Sequence, residues 1–229
     1  MHTGGEACRS TNNLITTIAA SGPGAGPEYA LEGSVFMAGA LLQWLRDELG
    51  LIDDVAETCA IARSVPDTGG VYVVPAFTGL GAPYWDAEAR GAIYRLTRGT
   101  GRAHIVRAAL ESLAYQVHDL ALAMEADAGV RERAQRGRRR VRERFSHAVR
   151  QSDILRTPLR RPQNAETTAL GAAFLAGLAT GFWKDAEALC ALRSSDDVYE
   201  PGMEDERHAK LLEGWARAVK RTMSDALSS

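Results

Sequence analysis

Apolar side chains recur at helical spacing in the longest patterned segment of the chain, residues 103–128. One side of this segment carries Ile105, Ala108, Ala109, Leu113, Gln116, Leu120 and Met124. Steps of three and four residues keep these positions on one face, so the pattern predicts a long amphipathic helix. A second amphipathic helix is predicted over residues 207–226, with these residues facing inward: Leu211, Leu212, Trp215, Val219 and Met223.

Three further helices are predicted. Residues 34–49 have Ser34 as a helix N-cap and Gly50 as a stop signal. The inward face of this helix would carry Phe36, Ala40, Leu41, Trp44, Leu45 and Leu49. Residues 53–64 would form a helix capped by Asp53, and residues 168–178 an apolar helix rich in alanine and glycine. The last of these must pack closely against another element.

Short β-branched and aromatic runs predict strands at residues 14–19, 29–32 and 70–75, with a further short strand near residues 92–96. Residues 21–27 are rich in glycine and proline and predict a turn. The long segment 78–99 has no clear period and is expected to be a structured loop around that last strand. Strands mixed with long helices indicate the α/β class.

Composition excludes several classes of protein. The 229 residues are 45% hydrophobic, enough for a substantial core, and the net charge of −2 provides no general field for nucleic acid or a membrane. Apolar runs end well before the roughly 18 residues that a membrane span needs, and no signal peptide is evident. Cys8, Cys59 and Cys190 are far apart, which favours free thiols in a reducing cytoplasm.

Four stretches of sequence carry a family resemblance. The stretch Gly91-Ala-Ile-Tyr-Arg-Leu-Thr-Arg-Gly-Thr precedes the longest predicted helix, and Tyr29-Ala-Leu-Glu-Gly-Ser-Val-Phe precedes another. Ala82-Pro-Tyr-Trp-Asp and Glu166-Thr-Thr-Ala-Leu-Gly-Ala-Ala follow further along the chain. Together they resemble the C-terminal region of the FGGY carbohydrate kinases, and their residue sequences are most similar to those of the glycerol-phosphorylating branch. Xylulose and gluconate kinases of the same family are weaker matches.

This resemblance implies a fold, a reaction and a domain limit. The fold would be the C-terminal half of an actin-like (ribonuclease-H-like) ATPase. The intact enzyme would transfer phosphate from ATP, with Mg²⁺, to glycerol, giving sn-glycerol 3-phosphate, and relatives act as homo-oligomers. Residues 1–229 would form the nucleotide-binding domain alone, with residues 1–5 a truncated strand that starts at an internal methionine. The catalytic aspartate and the polyol contacts would belong to an absent N-terminal domain, so no catalytic residue is assigned and the chain alone should be inactive.

Two nucleotide-contacting positions carry over from the resemblance, Gly39 and Gln43. Four residues apart on a helix, they share one face. Glycine allows close approach of a phosphate or ribose, and a glutamine amide both donates and accepts hydrogen bonds. Spacing alone would favour a packing glycine and a surface glutamine, and only the family resemblance favours a nucleotide site. Asp86 is a poor candidate for a catalytic base, because the resemblance places the family's base in the other domain. Its loop would suit stacking on a ligand, but an aromatic plug that holds the loop onto the core fits it at least as well. No metal site is predicted, because the five histidines show no ligand pattern.

The chain departs from the family in two places. Arg95 stands where relatives carry glycine. A larger departure covers residues 131–150, which hold nine of the 27 lysines and arginines. Relatives have a Val-Asp-Gly-Gly turn, an Ala-Asn pair and then Phe-Leu-Met-Gln here, and the turn and the asparagine cradle the adenosine. In this chain Arg138 and Arg139 occupy the glycine positions and Glu143 the asparagine position.

A frameshift accounts for the arginine-rich segment. Permitted codons for residues 134–149, read one nucleotide later, encode Leu-Ser-Val-Asp-Gly-Gly-Val-Cys-Ala-Asn-Asp-Phe-Leu-Met-Gln. The family frame resumes at Gln151, so a second shift follows near Arg150. The segment is therefore expected to be disordered or refolded as an exposed helix, with little nucleotide binding. Two alternatives stay open: a basic patch for nucleic acid or an acidic partner, and a decayed, non-catalytic interaction module.

Overall fold

The computed structural model describes residues 1–21, 26–129, 135–136, 151–161, 167–191 and 197–224. The strands are β1 His2–Gly4, β2 Ile15–Ala19, β3 Glu28–Glu32, β4 Tyr72–Val74, β5 Ala92–Tyr94, β6 Gln135–Arg136, β7 Leu159–Arg161 and β8 Asp197–Tyr199. The α-helices are α1 Gly39–Asp47, α2 Thr58–Arg63, α3 Arg102–Ala128, α4 Gln151–Leu155, α5 Thr167–Ala179, α6 Ala186–Ala191 and α7 Asp205–Thr222. A single 3-10 turn, Val55–Glu57, precedes α2.

The described strands form three small sheets. The first has the order β1-β3-β2 and is antiparallel throughout. The second is the antiparallel pair β4-β5. In the third, β6 runs parallel to β7, and β8 runs antiparallel to β7. Sheets and helices alternate along the chain, which confirms the predicted α/β class.

Helix α3 is the centre of the main core. Its middle turns are buried on all sides, because α2, β4 and α4 pack around it. The ring of Tyr115 on α3 stacks on Trp215 of α7 with centroids 5.3 Å apart. The interior of α1 adds Leu41 and Leu45, both fully buried. Burial of such side chains contributes roughly 1.5–3 kcal/mol each before entropy is counted, so this cluster holds the helices together.

Several predicted elements are confirmed: the strands β2 to β5, the long helix α3 and the terminal helix α7. The predicted helix over residues 53–64 is confirmed as the 3-10 turn followed by α2, but its cap is Asp54. The Asp54 carboxylate accepts from the Ala56 amide at 2.6 Å, and Glu57 reaches back to the amide of Asp53 at 2.5 Å. The turn predicted over residues 21–27 falls largely on residues 22–25, which lie outside the described part.

The predicted start of α1 is wrong. The helix begins at Gly39 after Ala38, not after Ser34. Residues 34–37 instead lie against the turn at Gly81, where an added Cβ would meet the Ser34 carbonyl at 2.7 Å and the Phe36 ring at 3.1 Å. Phe36 is therefore 42% exposed rather than part of the helix's inner face. A tertiary contact has overridden the local capping signal.

Helix α5 packs less closely than its composition predicts. Among its described side chains, Gly177 is buried against Trp183, whose ring would lie 2.1 Å from an added Cβ. Leu175 remains 43% exposed, and Phe182, just after the helix, is 77% exposed. Within the described ranges, no helix combines the length and the apolar character that crossing a membrane requires.

Candidate functional site

The structure places Gly39 and Gln43 one helical turn apart on the outer side of α1. Both residues are exposed, while the opposite side of the helix buries Leu41, Leu42 and Leu45. A Cβ added to Gly39 would find no atom within 4 Å, so the space beside this backbone is open. The pair therefore forms an accessible edge of the molecule. This agrees with the prediction that Gly39 and Gln43 lie on one face of a helix.

The N-terminal end of α1 suits an electronegative ligand. Its first-turn amides receive no side-chain cap from Ala38, and within α1, described in full, the first turn holds no acidic residue. Amides at a helix start lack partners inside the helix and carry the positive end of its dipole. A phosphate or ribose oxygen that approaches Gly39 would meet these donors.

A cleft opens beside this end of α1. Its volume is about 400 Å³ including the open mouth, and it lies between residues 34–37, the turn at residues 79–82 and Tyr84. Gln116 of α3 and Trp215 of α7 complete the lining. Neither Gly39 nor Gln43 lines this cleft, so the predicted nucleotide positions and the cleft are neighbours rather than one site.

Asp119 holds the walls of this cleft together. Its Oδ2 accepts a hydrogen bond from the Tyr84 hydroxyl at 2.8 Å and another from Trp215 Nε1 at 2.6 Å. Burial, and then the negative charge of Asp119, raise the pKa of Tyr84, so its hydroxyl stays protonated and able to donate. No sequence pattern predicts this cluster, because its three members come from separate parts of the chain.

Asp86 acts as a structural acceptor. Its carboxylate accepts from the Ser224 amide at 2.7 Å, the Ser224 hydroxyl at 3.0 Å and the amides of Glu88 and Ala89 at 3.0 Å. The hydrogen bond from the Ser224 amide is the largest cause that lowers the pKa of Asp86, although desolvation opposes it. A carboxylate that accepts from four donors favours its charged form and is unsuited to accept a proton.

The aromatic loop beside Asp86 serves packing, as expected. Trp85 Nε1 donates to the carbonyl of Asn13 at 2.6 Å, and the Asn13 amide donates to the carbonyl of Pro83 at 2.8 Å. The Trp85 ring also meets the edge of Phe36 at 6.2 Å between centroids. These contacts fasten the loop to the start of β2 and to the segment before α1.

No group of three or more histidine, cysteine, aspartate or glutamate side chains suited to a metal ion occurs in the part of the chain that the structure describes. His118 and His208 face each other edge to face at 6.2 Å, and His208 Nε2 contacts the carbonyl of Ile154 at 2.9 Å. His147 lies outside the described residues. Of the facing pair, His208 takes part in packing and hydrogen bonding, whereas His118 Nδ1 makes no hydrogen bond among the described residues and lies 3.6 Å from Asp119 Oδ1.

Arg95 has a left-handed backbone, with φ of +66°. Glycine adopts this region freely, whereas a residue with a Cβ is strained there. The conformation would suit the glycine that the family resemblance implies at this position. Of the arginine-rich segment, residues 135 and 136 are described, as strand β6 beside β7. Arg138, Arg139 and Glu143 lie outside the described residues, as does the prediction of disorder or an exposed helix for this segment.

Comparison with known proteins gives consistent matches. Residues 1–136 match the C-terminal domain of the FGGY family of carbohydrate kinases. The glycerol kinase of Carboxydothermus hydrogenoformans is 53% identical over 221 residues, which are 96% of this chain and 44% of that protein. This chain thus spans less than half the length of its curated relative.

Solved structures show the same fold. The crystal structure of Plasmodium falciparum glycerol kinase with ADP superposes with a TM-score of 0.88 at 38% identity, covering 97% of this chain and 44% of that one. Ligand-bound xylulose kinase from Lactobacillus acidophilus superposes with a TM-score of 0.72 at 22% identity, covering 95% of this chain and 42% of that one. At that identity the second likeness concerns the fold alone.

Proposed function

Because this chain belongs to the FGGY family of carbohydrate kinases, we propose that it is the nucleotide-binding part of a kinase that phosphorylates glycerol with ATP. The observation that carries the proposal is the 53% identity to a glycerol kinase across 96% of the chain. The xylulose kinase structure shares 22% identity. Residues 1–229 would form one domain of the enzyme, which as a whole would act as a cytoplasmic homo-oligomer.

The reaction divides between this domain and a second one. A terminal hydroxyl of glycerol attacks the γ-phosphorus of ATP, the bond to the β-phosphate oxygen breaks, and ADP leaves. A carboxylate takes the hydroxyl proton. Asp86, Asp119 and Asp127 are each committed to several hydrogen bonds. The resemblance to the carbohydrate kinases implies that the base comes from the second domain, and this chain would position the nucleotide.

The nucleotide would lie against Gly39 and Gln43. The open space beside the Gly39 backbone and the uncapped amides of α1 support this placement. The Gln43 amide, one turn further along, would hydrogen-bond the ribose or base. Mg²⁺ would arrive on the phosphates, since Mg²⁺ in kinases is usually held by substrate oxygens and one or two carboxylates.

The arginine-rich segment would prevent tight nucleotide binding. The family match ends at residue 136, inside this segment, which supports a change of reading frame there. Replacing residues 134–149 by the 15-residue string encoded in the other frame would restore the Asp-Gly-Gly turn. We call this variant the restored chain.

Two chimeras test the proposed function. The first joins the N-terminal part of the Carboxydothermus hydrogenoformans glycerol kinase to the restored chain. The second joins the corresponding part of the Lactobacillus acidophilus xylulose kinase to it. A coupled ADP-release assay should show that the first chimera phosphorylates glycerol and that the second does not phosphorylate xylulose. The reason is that the restored chain should form a matching domain interface with the glycerol kinase part only. Two folded but inactive chimeras, or equal activity in both, would contradict the assignment.

A further inference from the structure

The start of α1 depends on a contact between two segments that are far apart in the chain. Ser34 provides the local capping signal, yet the helix begins at Gly39 and no side chain caps its first turn. Residues 34–37 instead lie against the turn at Gly81, where an added Cβ would come within 2.7 Å of the Ser34 carbonyl oxygen and 3.1 Å of the Phe36 ring. Because the nearer atom belongs to the backbone, only a glycine at position 81 allows this approach.

The aromatic loop, residues 80–86, is the fixed side of this contact. Its first and last residues exchange two backbone hydrogen bonds of 2.8 and 3.1 Å, which close the loop at its base. The Tyr84 amide donates to the Gly81 carbonyl at 2.9 Å, and the Tyr84 hydroxyl donates to Asp119 of α3 at 2.8 Å. A loop tied at its base, at its centre and to α3 holds its position, so residues 34–37 must follow its surface.

Residues 33–36 are fixed by two further contacts. A Cβ added to Gly33 would overlap the Leu120 side chain of α3, so the backbone runs directly over that helix. The Phe36 ring meets the Trp85 ring edge to face, with centroids 6.2 Å apart. Winding the segment into α1 would withdraw Phe36 from Trp85. Tertiary packing therefore stabilises the non-helical path against the local capping signal.

The two possible starts of α1 differ in the amides that they leave free. A helical amide donates to the carbonyl four residues earlier, so the first amides of a helix have no partner inside it. With the observed start, the exposed residues Gly39 and Ala40 donate their amides to no backbone carbonyl among the described residues. With a start after Ser34, both amides would donate to the carbonyls of residues 35 and 36. The observed path thus keeps two donors open.

Given the proposed nucleotide site beside Gly39, on which this role rests, we propose that the aromatic loop sets the start of α1 and so keeps the amides of Gly39 and Ala40 open to the nucleotide. Gly81 is the positioning residue: it touches the backbone of Ser34 and acts on the site through it. The non-helical and helical paths are two arrangements of one segment, and the nucleotide binds to the first.

Amide exchange in the chain as written tests the start of α1 without any nucleotide. The amides of Gly39 and Ala40, followed by NMR, should exchange almost as fast as in an unfolded chain. Gly81→Ala should push Ser34 off the loop, let the capping signal act and slow both amides at least about tenfold. Gly5→Ala is the matched control, since a Cβ there meets no atom within 4 Å. Unchanged exchange in a folded Gly81→Ala chain would overturn the proposal.

A second variant releases the segment without adding an atom to the loop. Phe36→Ala removes the contact with Trp85 and favours the helix, because alanine has the highest helix propensity. Phe36 is 42% exposed, so the core does not depend on it, and the same two amides should again exchange more slowly. Adding Ser34→Ala removes the competing cap and should restore exchange roughly fivefold. A loss of packing alone would not respond to Ser34, so exchange that ignores either substitution would overturn the proposal.

ADP affinity of the restored chain separates the role of Gly81 from the proposed function. Gly81→Ala should weaken ADP binding at least about tenfold, and adding Ser34→Ala should recover roughly fivefold of the loss. Equal affinity with and without Gly81→Ala would overturn the positioning role and leave the proposed function standing. A restored chain that does not bind ADP at all would contradict the proposed function and, with it, the role of Gly81.

Discussion

Arg95 shows how one backbone angle limits the residue that fits. Its φ of +66° costs about 1 kcal/mol for a residue with a Cβ, and glycine avoids this cost. Arg95→Gly should therefore raise the free energy of unfolding by roughly 1 kcal/mol, measured by urea denaturation. Arg98→Gly is the control, since Arg98 is also exposed but is absent from the positive-φ residues, and it should not stabilise. A loss of stability in Arg95→Gly would refute the strain argument.

Asp127 should make the stability of the protein depend on pH, and the direction of its pKa shift fixes the sign of this dependence. Desolvation raises the pKa of Asp127, but hydrogen bonds from Ser10, Thr11 and Asn12 outweigh it, and the net pKa lies well below its usual range. The pKa of Asp127 is lower in the folded protein than in the unfolded chain, where it is about 3.9. The charged carboxylate therefore stabilises the fold above about pH 3.9, and this stabilisation is lost as the pH falls toward the pKa of the folded protein.

Asp127→Asn should consequently destabilise the protein at pH 7 and less at pH 3. Urea midpoints at the two pH values measure the difference. Glu88→Gln, an exposed carboxylate with 80% of its side chain accessible, is the control and should leave both midpoints unchanged. A loss in Asp127→Asn that is equal at both pH values would contradict the assignment of the stabilisation to the charged carboxylate.

At the scale of elements, periodicity predicts long helices better than their starting points. Helices α3 and α7 were predictable because each carries a continuous apolar stripe, although the middle turns of α3 are buried on the other sides as well. The start of α1 was not, since the contact of Ser34 and Phe36 with Gly81 joins segments far apart in sequence. The hydrogen bonds from Tyr84 and Trp215 to Asp119, which we call the Asp119 clamp, could not be predicted either. A single aspartate on a helix does not indicate which hydroxyl or indole will donate to it.

The Asp119 clamp joins the aromatic loop and α7 to α3, and its loss should be measurable. Tyr84→Phe removes the 2.8 Å hydrogen bond to Asp119 and leaves a buried carboxylate with one donor fewer. A loss of about 1–2 kcal/mol in the free energy of unfolding is expected from urea denaturation. Tyr29→Phe is the matched control, because no hydrogen bond involves the Tyr29 hydroxyl among the described residues. Similar small effects in both variants would argue against the clamp.

At the scale of the whole molecule, the apolar surface of α5 distinguishes the chain as written from the restored chain. Leu175 and Phe182 are exposed, and exposed apolar clusters bind hydrophobic dyes. The Leu-Ser-Val run of the restored chain takes the place of residues 134–136, which include strand β6, and should give α5 an apolar strand to pack against. The restored chain should therefore bind less anilinonaphthalene sulfonate and unfold more cooperatively. Identical dye binding by both chains would contradict this expectation.

The most direct test of the account is an ADP titration by calorimetry of the chain as written, the restored chain and the restored chain with Gly39→Val. We expect micromolar affinity for the restored chain and at least about tenfold weaker binding for the other two. Gly39→Val should keep its stability, since no described residue beyond the adjacent helix backbone lies within 4 Å of the added Cβ. Micromolar ADP binding by the chain as written, or unchanged affinity in the Gly39→Val variant, would contradict the account.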